Sequence, residues 1–161
     1  MASTTFSGPV TSTNGFIGNL TGNVTGNVTG NVTGNIAGSG TITHATTAAI
    51  NATATATAAQ VATGYITSTS AAATAITLPT GTLLGAALGA VRGTVFDLYV
   101  DNTAGASTVT MAVATNGILS SAAADTPGSF GDLTIAAGAT GIARFTLMFA
   151  SATAYTFSRT A

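Results

Sequence analysis

Few residues in this chain could carry acid–base or ligand chemistry. There is one histidine, His44, with four aspartates and three arginines, and cysteine is absent. A general base or metal ligand needs partners held close to it, and no acid lies near His44 in the sequence. A structural role is expected for it, where the repeat described below gives way to the C-terminal region; the rival is ion coordination near a three-fold axis. Asp97 and Asp101 sit on or beside one strand. Paired carboxylates can hold Ca²⁺, but such a site gathers about six to eight oxygens. "DNTAG" (101–105) instead has the side chains that bond their own backbone in a turn. Arg92, Arg144 and Arg159 are expected to meet the aspartates or chain termini within an assembly. No nucleophile elbow, zinc spacing or phosphate loop is present, and the glycines of "GTLLGAALGA" follow no dinucleotide fingerprint. No catalytic, cofactor-binding or metal-binding residue is assigned, no cofactor is expected, and the chain is not read as an enzyme. Asn19, Asn23, Asn27, Asn31 and Asn51 match the N-glycosylation pattern. The N-terminus "MASTTFSGPV" has neither a basic nor a continuous apolar stretch, so no signal peptide is expected, and these sequons read as a solvated Asn/Thr face.

Composition narrows the classes further. Charged residues make up 4% of the 161 residues and the net charge is −1, against about 25% charged residues in an ordinary soluble domain. There is no basic footprint for nucleic acid or for an anionic membrane surface. The longest nearly apolar run, "TLLGAALGAV" (82–91), is about half a membrane span. So few charges leave a lone soluble monomer prone to association. A protein that hides much of its surface among other copies escapes that problem.

The elements that must position these residues fall into four stretches. Residues 1–17 form a polar lead with isolated anchors at Phe6, Val10, Phe16 and Ile17. Residues 18–38 are a tetrapeptide repeat, and 39–63 are a Thr/Ala-rich connector. From Gly64 to Ala161 strands alternate with turn signals. Strands are predicted over 64–69, 74–79, 94–102, 107–114, 132–137, 141–150 and 154–160. In the third, Val95, Asp97 and Tyr99 share one face and Phe96, Leu98 and Val100 the other. "DNTAGAS" (101–107) and "SATA" (151–154) read as hairpin loops, and "AGATG" (137–141) as a glycine turn. "LLGAALGAV" (83–91) is the one plausible helix, weakened by Gly85 and Gly89. The expected fold is all-β, with an antiparallel β-sandwich or jelly roll over 64–161.

The repeat "NLTGNVTGNVTGNVTGNI" (19–36) is poor helix material, and its glycine comes every fourth residue where collagen needs every third. In an extended chain, positions two apart share a face. Leu20, Val24, Val28, Val32 and Ile36 then lie on one side with the glycines, and the Asn and Thr side chains on the other. Burying those five aliphatic groups repays less than the entropy of ordering the stretch. Several identical chains wound in register supply the missing pairing and burial, and three is the smallest number that encloses an axis well. The repeat is therefore expected to be the core of an intertwined homotrimeric β-stalk, reaching at most about 60–70 Å.

The tract "GNLTGNVTGNVTGNVTGNI" resembles repeats of tailed-bacteriophage structural proteins. "ITLPTGTLLGAA" (76–87), "FDLYVDNTAGASTVTMAVATNG" (96–117), "LTIAAGATGIARFTL" (133–147) and "AYTFSRT" (154–160) are similar to a small β-domain of phage head-decoration and fibre proteins. The resemblance implies a trimeric virion protein and leaves head and tail open. The leading reading is a capsid decoration or head-fibre protein, made in the host cytoplasm and carried on the capsid surface, whose partner is the major capsid protein. Phe6, Val10, Phe16 and Ile17 are then the candidate capsid anchor. The alternative is a tail-fibre or adhesin-type receptor- or glycan-binding protein. Glycan sites pair exposed aromatics with carboxylates, and Tyr65, Tyr99 and Tyr155 are few for that role. A secreted bacterial filament subunit is disfavoured by the N-terminus.

Overall fold

In the computed structural model the chain divides into two units, Met1–Gly40 and Thr41–Ala161. The residues described are 44, 46–119 and 133–160, all within the second. The expected stalk core (Leu20, Val24, Val28, Val32, Ile36) and capsid anchor (Phe6, Val10, Phe16, Ile17) lie outside them, as does the intertwined stalk itself.

The described strands are β1 (Ala48–Ala49), β2 (Ala54–Thr55), β3 (Tyr65–Thr67), β4 (Thr74–Leu78), β5 (Val95–Asp101), β6 (Val109–Val113), β7 (Gly117–Leu119), β8 (Thr134–Ile135), β9 (Ile142–Ser151) and β10 (Ala154–Arg159). Two helices, α1 (Ala58–Ala62) and α2 (Gly81–Leu88), lie between them. One sheet has the order β1-β3-β5-β9-β10-β7 and the other β2-β4-β6-β8. From β1 to β6 the chain alternates between the sheets, so each gains every second strand. β1, β3 and β5 are mutually parallel neighbours, as are β2, β4 and β6. β9 then pairs antiparallel with both β5 and β10, and β8 antiparallel with β6, while β7 runs parallel to β10.

This corrects the all-β antiparallel expectation. The fold is mixed α/β, with two parallel-rich sheets and helices. The cause lies in the connections. "SATA" does close the β9–β10 hairpin, but "DNTAGAS" carries the chain from one sheet to the other. The crossings that lead from the six-stranded to the four-stranded sheet bond to one another. Ser68 N–H donates to Asp101 O at 2.8 Å, Ala106 N–H to Ser70 O at 3.0 Å, and Thr69 N–H to Asn51 Oδ1 at 2.8 Å. These bonds satisfy backbone groups of neighbouring coils and hold successive crossings in register, although the Asn102 Oδ1 buried at this end has no hydrogen-bond partner among the described residues. The stretch read as a connector takes part: β1, β2 and α1 all fall within it.

Asn102, fully buried, ties this end together. Its Nδ2 faces the carbonyls of Ser107 (2.9 Å), Ala136 (3.0 Å) and Ile135 (3.2 Å). Its own backbone N–H donates to Gly141 O, and its carbonyl accepts from Gly105 and Gly138. One side chain therefore joins the β5–β6 crossing to the β8–β9 crossing.

At the other end the returns carry the helices. Thr57 and Gln60 form a reciprocal capping box at the start of α1, which satisfies two otherwise unpaired donors. Thr80 caps α2, and Gly89 ends it in the left-handed region at φ 58°, a conformation glycine adopts without a Cβ penalty. Gly85 lets α2 lie directly on the β9–β10 turn, where a Cβ would strike the Ala152 carbonyl oxygen. The two glycines that weaken the helix in sequence are thus the ones its ending and its seating require.

Between the sheets lies one apolar core. Ile66, Leu98, Val100, Phe145, Leu147, Phe149, Tyr155 and Phe157 come from the larger sheet, Ile76, Leu78, Val109, Met111 and Ile135 from the smaller, and Val61 and Leu84 from the helices. Phe145 and Phe157 stack at 4.8 Å. Tyr155 is buried with its hydroxyl donating to Pro79 O at 3.0 Å. It belongs to the core and not to any surface site.

Candidate functional site

The outer face of the six-stranded sheet is where the sequence's functional candidates come together. Alternation sends Leu98, Val100, Phe145, Leu147 and Phe157 inward, so their neighbours on β5, β9 and β10 point outward. Strand register arranges those neighbours in rows across the sheet. Val95 pairs with Met148, Met148 with Thr156, and Thr156 with Ile118. Val95 (61% exposed), Met148 (48%) and Ile118 (61%) thus form an uncovered apolar row. The next row is polar: Asp97, Thr146 and Ser158. The row after it is Tyr65, Tyr99 and Arg144. Asp101 and Ile142 follow, with Thr67 beside them.

His44 lies over the β3–β5 part of this face. Its ring centroid is 5.9 Å from that of Tyr65 and 5.6 Å from that of Tyr99. The two tyrosines are parallel-strand partners, and their rings stack at 6.3 Å with 20° between planes. With residues Val95, Phe96 and Asp97 of β5, His44 and the two tyrosines line a cleft of about 520 Å³. That volume is in the range of small-molecule sites.

Three side chains of the cleft, His44, Tyr65 and Asp97, are held from behind. His44 Nδ1 is 2.9 Å from Thr63 O; a carbonyl only accepts, so Nδ1 carries the hydrogen. Tyr65 donates to Asp101 Oδ2 at 2.9 Å, and Asp101 Oδ1 accepts from Thr103 Oγ1 at 2.6 Å and Thr103 N–H at 2.9 Å. The Thr103 hydroxyl above all, with its N–H and Tyr65, holds the Asp101 carboxyl below the usual range against the opposing effect of burial. Burial first, then the hydrogen bond to Asp101 and the carboxylate's charge, push the Tyr65 hydroxyl up. Asp97 accepts from Thr146 Oγ1 at 2.7 Å.

The structure therefore separates the two aspartates. Asp101 makes the local turn bonds its sequence suggests and also fixes Tyr65, while Asp97 faces the cleft. Arg144 Nε donates to Thr160 Oγ1 at 3.1 Å, and Arg159 Nη1 to Thr134 O at 2.7 Å. Among the described residues no group of three or more His, Cys, Asp or Glu is placed to hold a metal ion, and no helix is long and apolar enough to cross a membrane. The Tyr65–Tyr99 pair and the Val95–Met148–Ile118 row were not assigned from sequence. Alternation puts Val95 and Tyr99 on one face, but the neighbours they meet depend on a parallel register that no local signal encodes.

No family model, no curated protein and no solved structure matches this chain.

Proposed function

We propose that this protein is a virion structural component, a homotrimeric capsid decoration or head-fibre protein that binds and stabilises the capsid surface. The observation that carries this reading is the exposed row of Val95, Met148 and Ile118 in a chain of which only 4% of residues are charged. An uncovered apolar row in so weakly charged a chain suits shape-matched burial, whose strength depends little on salt. In this reading the Gly-Asn-Val-Thr repeats associate three copies about Leu20, Val24, Val28, Val32 and Ile36. Met148 and Ile118, the part of that row outside the β3–β5 cleft, are what copies cover in one another. Phe6, Val10, Phe16 and Ile17 meet the major capsid protein.

The test is a cryo-EM reconstruction of particles that carry this chain. The proposal expects trimers in hundreds of copies over the head. A handful of copies confined to the tail would replace it with the fibre reading, and absence from purified particles would remove both.

A further inference from the structure

We propose that the cleft over β3 and β5 binds a neutral carbohydrate, a role that does not depend on where in a particle the protein sits. The first ground is preorganisation. Tyr65 is pinned by Asp101, which is pinned in turn by Thr103; Asp97 is held by Thr146, and His44 by Thr63. A site whose side chains are already fixed loses little conformational freedom when a ligand arrives.

The second ground is what these restraints leave exposed. With Tyr65's hydroxyl engaged, that residue offers the ligand a ring. Tyr99 stacks against it, so the pair, with the tilted His44 imidazole beside both rings, lines one side of the cleft with aromatic edges and outer faces. Among the described residues no hydrogen bond takes Asp97 Oδ2 or the Tyr99 hydroxyl. In the neutral His44 ring, Nε2 remains as an acceptor. The cleft thus combines an apolar wall with acceptors at its side, and only Tyr99 among these groups can also donate. Its complement is a molecule with one apolar face and a rim of hydroxyl donors. A pyranose has that form: axial C–H groups lie against the rings while hydroxyls reach Asp97, Tyr99 and His44. Asp97 disfavours anionic ligands by charge. A bare quaternary ammonium would use the rings alone and leave the acceptors unpaired.

The test is titration of the full-length protein with maltotriose, lactose and N-acetylated chitotriose, with choline and glucuronate alongside. Calorimetry gives the affinity, and saturation-transfer NMR identifies which ligand protons touch the protein. At least one neutral sugar is expected to bind saturably with a Kd of about millimolar or tighter, with transfer concentrated on its ring C–H protons. Tyr99→Ala should weaken it about tenfold or more. Asp97→Asn should weaken it several-fold, and Tyr65→Phe, which keeps the ring, should preserve most of it. Each variant is checked by circular dichroism; if Tyr99→Ala fails to fold, Asp97→Asn and Tyr65→Phe still decide. Binding of none of the three sugars, sugar binding unchanged by Tyr99→Ala or Asp97→Asn, or choline as the ligand lost in Tyr99→Ala would each overturn the proposal. A stable trimer that binds no sugar overturns this inference and leaves the decoration reading intact.

Discussion

Replacing Asn102 should show how the two sheets are tied together. Its Nδ2 has two hydrogens to share among three carbonyls: the buried Ile135 O at 3.2 Å and the part-buried Ser107 O and Ala136 O at 2.9 and 3.0 Å. Asn102→Ala removes both donors, leaving Ile135 O buried without its donor and Ser107 O and Ala136 O part-buried without theirs. At about 1–3 kcal/mol for each buried bond lost, the cost is about 2–5 kcal/mol, a large part of the stability of an ordinary domain. Asn102→Asp is the sharper variant because it keeps the shape and inverts the chemistry, placing a carboxylate oxygen against three carbonyl oxygens. Only the protonated acid can donate, so its folded pKa must lie above the ordinary carboxylate value. Stability is then fully present below the unfolded pKa, near 4, and falls by about 1.4 kcal/mol per pH unit as pH rises toward the folded value. At the acid end both proteins share a loss of the opposite sense. The Asp101 carboxyl is held low, so its contribution is lost as pH falls through its folded pKa. The two curves should converge on acidification. Urea unfolding followed by far-UV circular dichroism, from about pH 2 to neutral, measures this. An Asn102→Asp protein within about 0.5 kcal/mol of wild type at neutral pH, with no pH dependence of its own, would refute the placement of the amide against those carbonyls.

Other perturbations have equally definite outcomes. Met148→Asp puts a carboxylate in the apolar row; in the full chain it should shift the association equilibrium at least about tenfold toward monomer by sedimentation analysis, with little change in the circular dichroism spectrum. Gly85→Ala drives a methyl group into the Ala152 carbonyl and should lower stability by about 1–3 kcal/mol in denaturant titration, although alanine is the better helix former. Burial pushes the Tyr155 hydroxyl up to about 12. Its stabilising contribution is therefore intact below about pH 10 and should be lost between there and about pH 12, to the extent of about 2–3 kcal/mol. Tyr155→Phe should remove that alkaline loss while costing about 1 kcal/mol at neutral pH, because Pro79 O loses its donor.

Alternation made most of the strands legible. Each of the seven predicted strands overlaps an observed one, because residues such as Phe145, Leu147 and Phe149 repeat with the period of the pleat. β1, β2 and α1 were hidden because alanine and threonine give little contrast between faces, and two-residue strands have no period to detect. Topology was illegible for a different reason. "DNTAGAS" has the chemistry of a hairpin loop, and what makes it a crossing is the burial of Asn102 against residues about thirty positions away. The cleft was missed in the same way. Tyr65 and Tyr99 are ordinary strand residues until parallel pairing sets them side by side, and His44 gains its neighbours only through the fold. Residue types thus pointed to faces, while long-range register decided what each face presents.

The most direct measurement of the central claim is the mass of the full-length protein under native conditions, by native mass spectrometry and light scattering at micromolar concentration. A component built to bury its surface among identical copies should appear as a trimer, at three times the 15.4 kDa chain mass, stable to raised salt. A folded, soluble monomer under the same conditions would contradict the account.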